Sequence, residues 1–362
     1  MSLSARVFGE KESDADRESI RKGNARKIVY ILIVSVGVFL LAAYSITISS
    51  TTITPLEVYE TLFNQIFPGT FDIPSKTQEI IMKVYAPRVL MAVIVGSILA
   101  IGGCLVSTIL KNPLATPYTL GVSSSAAFGA GMSIVLGITA VAGQWGTMIN
   151  AFIFSLIPAG VILMATSRRN MMATTMILVG VSMSYLFSSA NTIMQYFGDA
   201  EAVKQALFWA VGDLNDATLG QVPYVLVTLI FTTLGALFLT KDIDVMRMGD
   251  DTATTLGVNV KRTRLAVILL ACLSTAIAVS FVGAIGFICL LAPQISRIFV
   301  GGNIRYLIPA SAATGALLLT IADIIAKDLV NPIILPVGAI TALVGAPILI
   351  YLLLRNRDTV VS

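Results

Sequence analysis

Four polar side chains inside a long apolar run, Ser184, Ser188, Asn191 and Gln195, are spaced by four, three and four residues, so a helix carries them on a single face. A serine in such a run can satisfy its hydroxyl on its own backbone. The amides of Asn191 and Gln195 need partners or water. Two readings follow, a water-lined path through a membrane or hydrogen bonding to a neighbouring helix. Elsewhere Asp323 precedes Lys327 by one helical turn near the outer end of another apolar run, a spacing suited to an ion pair at the headgroups. A carboxylate there can also carry protons or sodium in an ion-coupled carrier, and Asp323 is the one good candidate for that role. Other chemistry is excluded. The chain has no histidine, which removes imidazole bases, imidazole ligands and any Ser-His pair. No second spanning aspartate accompanies Asp323, so an intramembrane aspartyl hydrolase is ruled out. Cys104, Cys272 and Cys289 are scattered in apolar runs without a CxxC spacing and read as buried thiols, with no metal site. No G-x-x-x-x-G-K-S/T loop is present, so the chain cannot hydrolyse ATP itself.

The elements that must hold these groups are membrane spans. With 56% hydrophobic and 12% charged residues over 362 positions, and a mean hydropathy of +0.88, there is too little polar surface to cover a soluble globule. The class is an all-α polytopic membrane protein. Apolar runs at about 28–50, 88–110, 117–137, 145–167, 171–197, 218–240, 265–283, 285–300, 306–327 and 335–354 predict about ten transmembrane helices, with 285–300 the one most open to being broken or re-entrant. With the amino terminus inside, Lys76, Lys83, Arg88, Lys204 and Lys327 fall outside and the remaining Lys and Arg of the 24 fall inside. The positive-inside rule therefore places both termini in the cytoplasm. Residues 1–27 form a cytoplasmic tail, 28–357 the transmembrane domain and 358–362 the end of a second tail. Thr54-Pro55-Leu56-Glu57 reads as a capping box opening a short amphipathic helix on the outer surface, closed by a turn at Pro68-Gly69.

One interruption is too long to be a simple turn. Lys241 to Arg264 is rich in charge and lies on the cytoplasmic side. Asp242 to Met248 predicts one short helix, Gly249 breaks it, Asp250 or Asp251 can cap a second, and Gly257 can end that second helix in the left-handed conformation. Two short helices lying across a membrane face make either an interfacial hairpin or a platform for a partner.

Several motifs in order resemble one family. Ala86-Pro87-Arg88 leading to Gly102-Gly103, Lys111-Asn112-Pro113-Leu114-Ala115-Thr116-Pro117, and Leu120-Gly121-Val122-Ser123 are similar to the signature of FecCD/BtuC-type permeases of ATP-binding-cassette importers. Trp209-Ala210-Val211-Gly212, Leu256-Gly257-Val258, Phe281-Val282-Gly283 through Pro293 and Arg297, Ala322-Asp323, and Leu335-Pro336-Val337-Gly338 through Gly345-Ala346-Pro347 continue it. The departures are Gln294 for the usual His, Leu335 for a frequent acid, and Tyr85 where an Arg is usual. The resemblance implies a type II importer permease moving a metal chelate (ferric siderophore, haem or cobalamin) into the cytoplasm. It implies a second copy or a close paralogue, two ATP-binding subunits, an extracytoplasmic substrate-binding protein and surrounding lipid as partners, with no nucleic acid. No cofactor is bound by this chain, and ATP and Mg sit on the partner ATPase. In that picture Ser184, Ser188, Asn191 and Gln195 line the path. Gly249, Asp250, Asp251, Leu256 and Gly257 form the ATPase-coupling surface within 241–264. Lys83, Arg88 and Lys327 present outer cations to the binding protein. The alternative is a secondary ion-coupled transporter.

Overall fold

The computed structural model describes residues 3–48, 53–67, 69–143, 145–168, 172–330 and 333–355. The expected turn residue Pro68, the inside-facing Arg169 and Arg357, and the tail end 358–362 lie outside the described residues. Helix α1 (Leu3–Ile48) runs through the first span, and α2 (Pro55–Ile66) follows on the outer side. Then α3 (Ser75–Ile80) passes through a π turn (Ile81–Tyr85) into α4 (Ala86–Ile109). The chain continues with α5 (Val122–Leu136), α6 (Gly146–Arg168), α7 (Ala173–Tyr196), α8 (Ala200–Val211) and α9 (Val222–Phe238). Two short helices, α10 (Thr240–Arg247) and α11 (Asp250–Thr255), precede α12 (Val260–Val282), α13 (Ile288–Val300), α14 (Ile304–Asp328) and α15 (Val337–Arg355).

Among the described residues six helices are long and apolar enough to cross a membrane, or seven if α9 and α10, which meet at a 53° bend, are taken as one span, against about ten expected. The expected runs at 117–137, 285–300 and 335–354 fall instead on shorter apolar helices, α5, α13 and α15. Two expected boundaries shift. The run 117–137 becomes helical only at Val122, because Lys111 adopts a left-handed φ of 49° and Pro113 and Pro117 keep the preceding stretch in turns. The run 285–300 is a partial span: the 13 residues of α13 rise only about 20 Å, short of a hydrocarbon core of about 30 Å. Phe287 has φ 63° and ψ −33°, and the amide of Ile288 donates to the carbonyl of Gly286 at 2.8 Å, so a tight γ-turn starts α13. Helix α8 was not expected. Its signals were Asp199, whose carboxylate accepts from the amide of Glu201 at 3.1 Å, and Gly212 at its end.

The capping box is present as read. The Thr54 amide donates to Glu57 Oε2 at 2.6 Å, and the Glu57 amide donates to Thr54 Oγ1 at 3.3 Å. Val58 then packs with Ala43, Ile46, Ile81 and Val89, which sets α2 against the outer ends of α1 and α4.

Helix α4 lies at the centre, buried along nearly its whole length, with α14, α12, α13 and α9 packed around it. Small residues let the backbones meet. A Cβ added at Gly96 would lie 2.5 Å from the carbonyl oxygen of Gly315 in α14, and one at Gly103 would collide with the carbonyl of Cys289 in α13. On α5 the same holds at Gly129, where a Cβ would lie 2.5 Å from the carbonyl oxygen of Asn150 in α6. Gly96→Ala is therefore expected to wedge α4 from α14 and destabilise the protein by about 1–3 kcal/mol. The readout is the Tm of the detergent-solubilised protein, with Gly160→Ala, where nothing lies within 4 Å, as the neutral comparison.

Candidate functional site

The charged interruption at 241–264 folds as an elbow. Ile243, Met246 and Ala253 are buried and anchor α10 and α11 to the body. Gly257, at φ 85°, ends α11: its amide donates to Thr254 and the next amide, Val258, donates to the carbonyl of Ala253 at 2.9 Å. These paired bonds form a Schellman closure, for which the left-handed glycine is suited. The expected side-chain cap is absent. Gly249 occupies the N-cap with no side-chain bond, because the Asp250 carboxylate is turned to the body. Arg264 Nη2 donates to Asp250 Oδ2 at 2.7 Å, and Lys111 Nζ lies 3.7 Å from Oδ1, an ion pair too long for a hydrogen bond. Burial alone would raise the Asp250 carboxyl, but the hydrogen bond and charge of Arg264, then the charge of Lys111, outweigh it and hold the group below the ordinary aspartate range. Asp244 accepts from Arg247 at 3.4 Å and from the amide of Ile304 at 3.3 Å, while Asp242 accepts from Thr263 Oγ1 at 3.3 Å. Met248 and Leu256 are left 73% and 63% exposed on the elbow. Beside α11 is an open groove of about 620 Å³, bounded across from it by Thr166 and Met172 at the α6–α7 connection.

The outer cations require a correction. Arg88 and Lys327 are 5% exposed and Asp323 is fully buried. Arg88 Nε donates to Asp323 Oδ1 at 2.6 Å, and Lys327 Nζ to Asp323 Oδ2 at 2.7 Å. Ser45 of α1 closes the cluster, donating to Asp323 Oδ2 at 3.1 Å and accepting from Lys327 at 2.9 Å. Arg88 Nη1 further donates to Asn215, whose amide donates to Asp213, so the loop after α8 is tied in. Burial pushes the Asp213 carboxyl up, against the opposing charge of Arg88. Neither Arg88 nor Lys327 presents its charge to the exterior in this arrangement. Lys83 does, and among the described residues it is paired with Glu79, one turn away on an exposed face. A carboxylate gripped by two cations and a hydroxyl is a fixed counter-ion, an arrangement ill-suited to shuttling protons or sodium.

On α7, Met176, Gly180, Phe187 and Met194 are buried, chiefly against α5. Ser184, Asn191 and Gln195 lie half-buried along the margin of that contact, and Ser188 is exposed. Ser184 donates to the carbonyl of Gly180 at 3.1 Å, while the Asn191 carbonyl oxygen is buried without a partner among the described residues. Sequence reasoning missed Ser45, Asp213, Asn215 and the grip of Arg264 on Asp250. No periodicity links these positions, because each pairing spans separate elements.

The overall fold is shared with known proteins. The profile described as the FecCD transport family matches residues 36–355. An ABC transporter permease protein of Methanocaldococcus jannaschii is 36% identical over 339 residues, covering 91% of this chain and 95% of its own. The cobalamin import system permease protein of Halobacterium salinarum is 35% identical, with 80% and 77% covered, and the hemin transport system permease protein of Yersinia pestis is 33% identical, with 76% and 84% covered. A solved structure, described as a metal-chelate type ABC transporter in an inward-facing conformation, superposes with a TM-score of 0.79 at 25% identity, covering 90% of this chain and 98% of that one. The chain belongs to the FecCD transport family. It is a multi-pass membrane permease of an ABC import system, a non-catalytic subunit of a class that works with an ATPase and a binding protein. Where the family usually carries His, Gln294 donates from Nε2 to the carbonyl of Pro113 at 3.0 Å, fixing α13 to the turns before α5.

Two outcomes are expected from this geometry. Asp323→Asn leaves Arg88 and Lys327 buried without their counter-ion and should lower stability by about 3–5 kcal/mol, read as a fall in Tm. The Asp250 clasp, formed by a carboxylate whose folded-state pKa is depressed, contributes above the ordinary aspartate pKa and is lost as pH falls through the lowered value. The Tm difference between the natural protein and Asp250→Asn should therefore be present at neutral pH and vanish in acid.

Proposed function

We propose that this chain moves a metal chelate, of the ferric siderophore, haem or cobalamin kind, into the cytoplasm through a path formed with a second copy of itself or a close paralogue. Two ATP-binding subunits carrying ATP and Mg supply the energy, and an extracytoplasmic binding protein delivers the cargo. The observation that carries this reading is the elbow: two short helices held against the body by buried anchors and the Asp250 clasp, with Met248 and Leu256 left bare. A hairpin resting passively at the headgroups has no need of three acid-mediated ties to α4, α12 and α14. The cargo class is supported by relatives whose names specify hemin, cobalamin and Fe(3+) dicitrate. In this reading Gly249, Asp250, Asp251, Leu256 and Gly257 form the surface that couples to the ATPase, and Ser184, Ser188, Asn191 and Gln195 face the path. Of the outer cations, Lys83 is the one available to the binding protein without rearrangement.

Reconstituted with its ATPase and binding protein, the permease should sustain uptake after ion gradients are collapsed and stop when ATP is depleted; the reverse result would establish the ion-coupled alternative. Gly257→Val, which opposes the left-handed φ, should leave membrane insertion intact while cargo-stimulated ATP hydrolysis falls toward the basal rate.

A further inference from the structure

The elbow carries four acids, Asp242, Asp244, Asp250 and Asp251. Three are engaged within the chain: Asp242 by Thr263, Asp244 by Arg247 and the α14 amide, and Asp250 by Arg264 and Lys111. Asp251 differs. Its carboxylate has no partner among the described residues; at the backbone its carbonyl accepts from Thr255 Oγ1 at 3.0 Å. On α11 it sits about 200° around the helix from the buried anchor Ala253, so it faces away from the body. Met248 and Leu256, both largely bare, flank it in the sequence. The other exposed charged residues of 241–264, Lys241, Arg247, Lys261 and Arg262, are all positive. Asp251 is thus a single outward acid in a basic field, between two apolar knobs.

We infer that the ATPase surface receiving this elbow holds one cation opposite Asp251, within an otherwise acidic rim around an apolar pocket for Met248 and Leu256. This rests on the coupling reading above and adds the chemistry of the partner's face. A uniformly basic platform would bind an acidic cleft in many registers. One reversed charge fixes a single register, because any slip places Asp251 against like charge. The apolar knobs supply buried area, and the exposed ion pair supplies register and association rate.

Association of the full-length permease in nanodiscs with its ATPase subunit, followed over a range of salt concentrations, gives a test whose sign decides. Asp251→Asn should slow association by about two- to fivefold at low salt, the range open to an exposed ion pair. Asp251→Lys should slow it further, and a base-to-acid change on the ATPase should restore part of that loss. If Asp251→Asn instead speeds association, the facing surface is acidic throughout and the inference is overturned. If it lowers Tm with association unchanged, Asp251 merely completes the first turn of α11, and the inference is again overturned. Leu256→Asp reports separately on the underlying reading. Association that survives both Leu256→Asp and Met248→Asp means that the elbow is not the ATPase contact at all, whereas association lost in Leu256→Asp but indifferent to Asp251 removes only the opposing cation.

Discussion

In a bilayer, lipid chains are as apolar as leucine, so helices gain little by hiding from their solvent and associate where their shapes permit close contact. The contact on which this protein depends is that of α4 with α14, where Gly96 and Gly315 bring the two backbones together with no side chain between them. A second bare approach on α4 is Gly103 against the Cys289 carbonyl. Bulk at any of these points would displace a whole helix, since close-packed interiors transmit displacement instead of absorbing it.

The same pair joins the two ends of the molecule. At the outer end α4 contributes Arg88 and α14 contributes Asp323 and Lys327 to one buried ionic cluster. At the cytoplasmic end the turn after α4 contributes Lys111 to Asp250, and the first amide of α14 donates to Asp244 of α10. Two rods in contact at mid-length thus grip the loop after α8 at one end and the elbow at the other. Buried ion pairs are costly to desolvate and are weak sources of net stability, so the outer cluster is better understood as fixing the register of α1, α4 and α14 than as strengthening them.

Burial is uneven in a way that suits transport. Helix α4 is enclosed, whereas α7, α9 and α15 leave large apolar side chains such as Tyr185, Phe231 and Leu343 exposed. Lipid can cover such faces. The half-polar margin of α7 belongs to this exposed side, and there the Asn191 carbonyl oxygen is buried with no partner among the described residues. The partial span α13, started by a tight γ-turn at Phe287, places irregular backbone deep in the apolar region, tolerable only because protein surrounds it.

Class and most helices were legible in the sequence because they depend on local quantities: the length of apolar runs, the Thr54–Glu57 spacing, and a glycine at the end of α11. The elbow was legible for the same reason, as a charged stretch too long for a turn. Local signals fail where a residue's partner is remote in the chain. Asp323 and Lys327 could be paired from their spacing, but that Arg88, 235 positions away, shares the same carboxylate and is buried with it follows only from packing α4 against α14. Likewise Asp250 had the right place for a helix cap, and the tertiary structure turned it to Arg264 because a buried guanidinium needs a counter-charge more than an exposed helix end needs a cap. Sequence decides which groups are charged and which stretches are helical. Only the assembled fold decides which charges lose their water, and therefore which of them remain available to a partner.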